Sequence, residues 1–210
     1  CILFPLFLNA QLKPLTSQYI LNPVIINPSA AGNSGALNVA TFYRHQWTGI
    51  DGAPKTLSLA VDAPLSSSKV ALGLLLTNDR IGVTRETSIN TNYAFKIKMR
   101  NGVLSFGLGA GLITTNTAFS DLVAVDPGDD IFLVDSRIFV VPDFSYGMYY
   151  SGKRFFSGFS IPRLLGYEFD FNRNKYGLKS DPGKYEYMLN TGYSFDIGQR
   201  ARFLPSVLVS

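Results

Sequence analysis

The chain has 210 residues, of which 46% are hydrophobic, 13% aromatic and only 16% charged, with a formal net charge of +4. That balance excludes a disordered chain, and the basic excess does not point to nucleic acid, because Lys and Arg stand singly, often beside turns, with no basic helix or aromatic-basic motif. No apolar run reaches the roughly 18 to 20 residues of a membrane helix, so a membrane role would fall to strands or to a surface.

Residues 2–8, ILFPLFL, followed by Asn9-Ala10-Gln11, have the form of the end of a secretory signal cut after Ala10. Residues 1–10 are therefore expected to be a signal remnant, which implies export across the inner membrane. Its removal would take Cys1, the one cysteine, leaving neither a disulfide nor a cysteine metal site. Residues 11–35 form an N-terminal segment in which two Asn-Pro steps and a closing Gly-Asn-Ser-Gly predict turns and extended chain. We expect it to lie against a sheet, in the mouth of a barrel.

From residue 36 onwards the polarity alternates with period two. Leu37, Val39, Thr41 and Tyr43 oppose Asn38, Ala40, Arg44 and Gln46, with Phe42 out of pattern on the polar face; residues 56–63 and 70–78 alternate likewise. Residues 87–112 form the strongest pair of strands. Ile89, Tyr93, Phe95, Ile97 and Met99 share one face and Ser88, Asn90, Asn92, Ala94, Lys96 and Lys98 the other. Asn101-Gly102 predicts a type I′ turn, after which Leu104, Phe106, Leu108 and Leu112 alternate with Ser105, Gly107, Gly109 and Gly111. Further strands are predicted over 139–150, where Pro142 signals an edge or a bulge, and over 155–161, 185–196 and 201–209, making nine.

Connections after the even strands are predicted to be short and those after the odd strands long, the longest near 115–137 and 163–184. Short turns on one side and long loops on the other are the outer-membrane pattern, and they put the N-terminus in the periplasm. The fold class is thus all-β, an antiparallel transmembrane β-barrel of outer-membrane type over residues 36–210. A soluble sandwich is the minor alternative. Nine strands is an odd number and the sequence stops within a strand pattern, so the expectation is an incomplete N-terminal portion of a larger barrel.

No constellation carries catalysis. His45 is the one histidine, and no serine stands in a nucleophile motif such as G-x-S-x-G, so a lipase is disfavoured. Gly107, Gly109 and Gly111 lack dinucleotide-site spacing and lie on one strand face, which fits room for a plug or a bend. Asp121, Asp126, Asp129, Asp130 and Asp135 lack calcium-loop spacing and are expected to be a solvated loop. Neither cofactor nor metal is expected. Tyr43 and Trp47 at one end, and Tyr149, Tyr150, Phe155 and Phe156 at the other, fit interfacial girdles.

The runs QYILNPVIINPSAAG (18–32), YRHQWTGIDGAPKT (43–56), LSFGLGAG (104–111) and FLPSVLV (203–209) resemble, in order and in combination, the PorP/SprF family. That family comprises outer-membrane proteins of the type IX secretion and gliding-motility apparatus of Bacteroidetes. Asn22, Pro23, Asn27, Pro28 and Gly32 match its first motif, and Arg44, Gln46, Trp47, Gly52, Pro54 and Lys55 its second. The resemblance implies a noncatalytic barrel in outer-membrane lipid, bound to periplasmic ring components and supporting export or surface attachment of adhesin cargo. An outer-membrane porin or ligand-specific channel is the alternative. We further expect the N-terminal segment to pack on the small face of the fifth strand, with Arg44 and Lys55 steering the external loop that follows.

Overall fold

The computed structural model of the chain describes residues 19, 21–65, 69–118, 138–170, 175–179, 181–197 and 201–210. The expected signal remnant, residues 1–10, and the acidic stretch fall outside these residues. Among those described, no helix is long and apolar enough to cross a membrane.

The strands are β1 (Asn38–His45), β2 (Lys55–Pro64), β3 (Val70–Ile81), β4 (Thr84–Met99), β5 (Gly102–Thr117), β6 (Phe139–Gly152), β7 (Phe155–Ile161), β8 (Gly166–Asp170), β9 (Lys175–Lys179), β10 (Met188–Tyr193), β11 (Phe195–Ile197), β12 (Ala201–Phe203) and β13 (Ser206–Val209). Nine of them form one antiparallel sheet in the order β1-β2-β3-β4-β5-β6-β7-β10-β13, a half-barrel in which β8–β9 and β11–β12 stand apart as separate two-stranded sheets.

The sheet is inside-out relative to a soluble sandwich. On β4, Ile89, Tyr93, Phe95, Ile97 and Met99 are exposed while Asn92, Ala94 and Lys96 are buried. On β5, Leu108 and Leu112 are exposed while Ser105 and Ile113 are buried. The cross-strand row Val70–Phe95–Phe106–Met148–Phe159–Leu189–Val209 runs along the apolar face from β3 to β13. A contiguous apolar face with small and polar residues behind it is the polarity of a membrane barrel, in which lipid covers the outside.

The structure changes several local readings. β3 and β4 extend to a two-residue connection, Gly82-Val83, where a long loop was expected; Asp79 faces Glu86 and Arg80 faces Arg85 across this extension. The alternation continues through those charged residues, and Gly82 at φ +58 supplies the left-handed first position of a two-residue hairpin. The short-long rule of connections therefore fails at this point. The β4–β5 turn is Arg100-Asn101, since Gly102 pairs with Met99. Neither turn residue has a positive φ, so the turn is not type I′. Gly102 instead allows close approach, because a Cβ there would lie 2.5 Å from the Ser151 carbonyl.

The expected loop over 163–184 contains the β8–β9 hairpin. The last two predicted strands each break in two, and β11 and β12 leave the main sheet as a separate hairpin. Pro205 cannot donate to a ladder, and its carbonyl instead accepts from the Tyr193 N–H at 3.1 Å. Pro142 lies beyond the end of the β6–β7 pairing, which begins at Tyr146, so β6 is locally an edge there.

Candidate functional site

Residues 22–32 lie on the small face of the sheet, and their conformation follows from the two Asn-Pro steps. Asn22 and Asn27 are extended residues whose side chains accept from the N–H two residues on, Val24 at 3.1 Å and Ser29 at 3.0 Å. Each proline then occupies the first position of a short 3-10 turn, Pro23–Ile25 and Pro28–Ala30. Its missing N–H costs nothing at that position, and its fixed φ suits the turn.

The segment crosses the strands transversely. Tyr19 reaches Ser206 of β13 through their hydroxyls at 3.3 Å. Asn27 straddles the β6–β7 seam, donating from Nδ2 to the Met148 and Phe159 carbonyls, each at 3.2 Å. Pro28–Ala30 then passes over β6, β5 and β4. Gly147 makes room for the Asn27 side chain and Gly107 for the Ser29 backbone, and a Cβ on either would overlap the segment; Gly158 mainly gives space to Asn190 and Tyr149. Gly109 and Gly111 serve differently, giving space to Asn92 and Ser145 and to Asn90 respectively. Val24, Ala30 and Ala31 pack against Ala71, Ala94 and Tyr149 as one buried apolar cluster.

At its far end the segment is held by charge. The Gly32 N–H donates to Asp62 Oδ2 at 2.7 Å, and Lys96 Nζ donates to the Gly32 carbonyl. Asp62 also accepts from Asn38 Nδ2 at 3.0 Å. A carboxylate and an ammonium thus grip the two backbone polar groups of one residue, at a point where φ is +66 and a Cβ would lie 2.5 Å from that of Ala71. Such charge-assisted bonds are stronger than neutral ones, and burial strengthens them further.

Asn22, Pro23, Asn27, Pro28 and Gly32 therefore gather in one place. The other six candidates do not join them. Arg44, Gln46, Trp47, Gly52, Pro54 and Lys55 belong to β1, β2 and their connection, at the end of the sheet that also carries the β3–β4 turn. The Gln46 N–H donates to the Pro54 carbonyl at 3.0 Å, and the Gly82 N–H to the Gly52 carbonyl at 2.8 Å, tying this connection to the neighbouring turn. Trp47 is 69% exposed at φ +50, a backbone region that a bulky side chain seldom adopts. Arg44 faces Thr56, and His45 faces Lys55, so Arg44 and Lys55 lie on opposite faces of the sheet and do not act on one loop from the same side.

Sequence reasoning placed Asp62 and Lys96 on the inward row but did not single them out; the available signal was a charge on a row otherwise small and neutral. It also assigned Tyr149 and Phe156 to a girdle. Tyr149 is buried, and the two rings stack at 6.0 Å on the covered face. A second inward charge group was missed as well. Arg163, beyond β7, pairs with Glu86 of β4 at 3.3 Å and with Asp143 of β6 at 3.7 Å. Among the described residues, no three His, Cys, Asp or Glu gather as a metal site.

A half-barrel sheet, apolar outside and lined inside by small residues under a segment of its own chain, defines the molecule as a membrane β-barrel protein. The model for the type IX secretion system membrane protein PorP/SprF matches residues 8–210, and the chain belongs to that family. Comparison with curated proteins found no match, and comparison with solved structures found none. The protein is thus a membrane component of type IX secretion.

Proposed function

We propose that this component is a noncatalytic outer-membrane barrel whose interior is occupied by its N-terminal segment over residues 21–35. Its role is contact: it binds periplasmic ring components and supports export or surface attachment of adhesins. The observation that carries the reading is the transverse seat of residues 22–32, held by Asn27 on β6 and β7 and by Asp62 and Lys96 on β2 and β4. A porin keeps its polar interior open to water, whereas here Gly107 of β5 and Gly147 of β6 are spent on seating a segment of the same chain. Family membership supports the assignment to the secretion machinery.

The test is a crosslinked pull-down of tagged full-length protein from outer membranes, read by mass spectrometry. Recovery of periplasmic ring lipoproteins or a large surface adhesin is the expected result. Recovery of the barrel alone, with a steady open conductance in planar bilayers, would replace this reading with the porin.

A further inference from the structure

The register places a row of basic side chains across four strands. His45 of β1 faces Lys55 of β2, Lys55 faces Arg80 of β3, and Arg80 faces Arg85 of β4. All four are exposed and lie on the apolar face. At the usual interstrand spacing the row is roughly 15 Å long. Like charges directly opposite one another destabilise a sheet, so a run of them calls for a compensating partner.

Acidic residues are at hand, but on the other face. Asp79 and Glu86 adjoin Arg80 and Arg85 in sequence, face one another across the same two strands and point inward, in the row that contains Arg44. The inward cation Arg163 has Glu86 and Asp143, and Arg154 at the opposite end has Asp196 at 3.4 Å. Lys55, Arg80 and Arg85 have no carboxylate partner among the described residues. Below the row lie Tyr43 and Leu57 and then the apolar band, and beside it stand Trp47 and Ile50, 69% and 63% exposed. Tryptophan and tyrosine settle at the headgroup level of a bilayer, which puts the basic row level with lipid phosphates.

We propose that the His45–Lys55–Arg80–Arg85 row is a binding strip for the phosphate groups of anionic lipids in the leaflet at this end of the barrel. The inference rests on the outer-membrane reading only in naming that leaflet, since the strip and the lipid band are properties of the sheet. The charge row and the apolar band are continuous, so one amphipathic molecule meets both, and this favours a lipid over an acidic protein.

The full-length protein, wild type and Arg80→Gln/Arg85→Gln, would be reconstituted in nanodiscs of phosphatidylcholine with or without lipid A, and bound lipid measured by native mass spectrometry beside thermal unfolding. Wild type should retain lipid A and unfold at a higher temperature in its presence. The double variant should retain it roughly 30-fold less well, from the loss of two surface cations, yet be at least as stable in phosphatidylcholine because a repulsion is relieved. An Arg80→Lys/Arg85→Lys variant should restore most of the retention. Unchanged lipid retention in the double variant, equal stabilisation of wild type by inorganic phosphate, or loss of a captured polypeptide while lipid retention persists would each overturn the proposal. None of these readouts depends on where the protein resides in the cell, so failure here is separable from failure of the outer-membrane assignment, which cell fractionation tests.

Discussion

Gly32 shows how much one residue can depend on distant ones. Its N–H and carbonyl are held by Asp62 and Lys96, which lie 30 and 64 residues away in sequence. Period-two alternation was enough to turn Lys96 inward, since it shares a row with Asn92 and Ala94, but nothing in the local sequence named its acceptor. The same limit applies to Tyr149. An aromatic beside a turn has the composition of a girdle, and only the position of Phe156 and the segment shows that it faces inward. A buried charge-assisted hydrogen bond contributes roughly 1.5–3 kcal/mol. Lys96→Met should therefore destabilise the protein by about that amount, because the lost bond leaves the Gly32 carbonyl short of a partner. Thermal unfolding of reconstituted protein measures this; an unchanged midpoint would mean that the lysine does not hold the segment.

At the scale of elements, the strands were largely legible and their ends were not. All nine members of the main sheet correspond to predicted alternating stretches, because lipid on one side and small residues on the other impose an uninterrupted period of two. Strand ends fall where that constraint relaxes. Charges at 79–86 resemble a loop, yet they extend β3 and β4 as a paired ribbon closed by Gly82. Pro205 looks like one more strand residue until its missing donor divides the last stretch into β12 and β13. The N-terminal segment is the element with the largest functional consequence. Its Asn-Pro steps foretold turns, while its seat is set by Gly107 and Gly147 on two separate strands. Deleting residues 18–35 from the full-length protein should lower barrel stability and raise ion leakage in planar bilayers. Stability and conductance both equal to wild type would show that the segment neither braces the sheet nor occupies the interior.

At the scale of the whole molecule, two faces with opposite chemistry define what the protein can do. The outer face carries the apolar band with a basic row at one end, and the inner face carries a brace made from the chain's own N-terminal region. The work proposed for the protein is accordingly contact, with lipid and with other components of the secretion machinery. The brace is expected to sit on the small face of the sheet in the membrane. Ala31 and Gly73 test it directly, because a Cβ added at Gly73 would lie 3.4 Å from that of Ala31, close to the separation that a disulfide requires. Full-length Ala31→Cys/Gly73→Cys protein oxidised in intact membranes should give a linked pair of peptides by mass spectrometry and little labelling of either cysteine by a water-soluble maleimide. Absence of the link, with both thiols freely labelled, would contradict it.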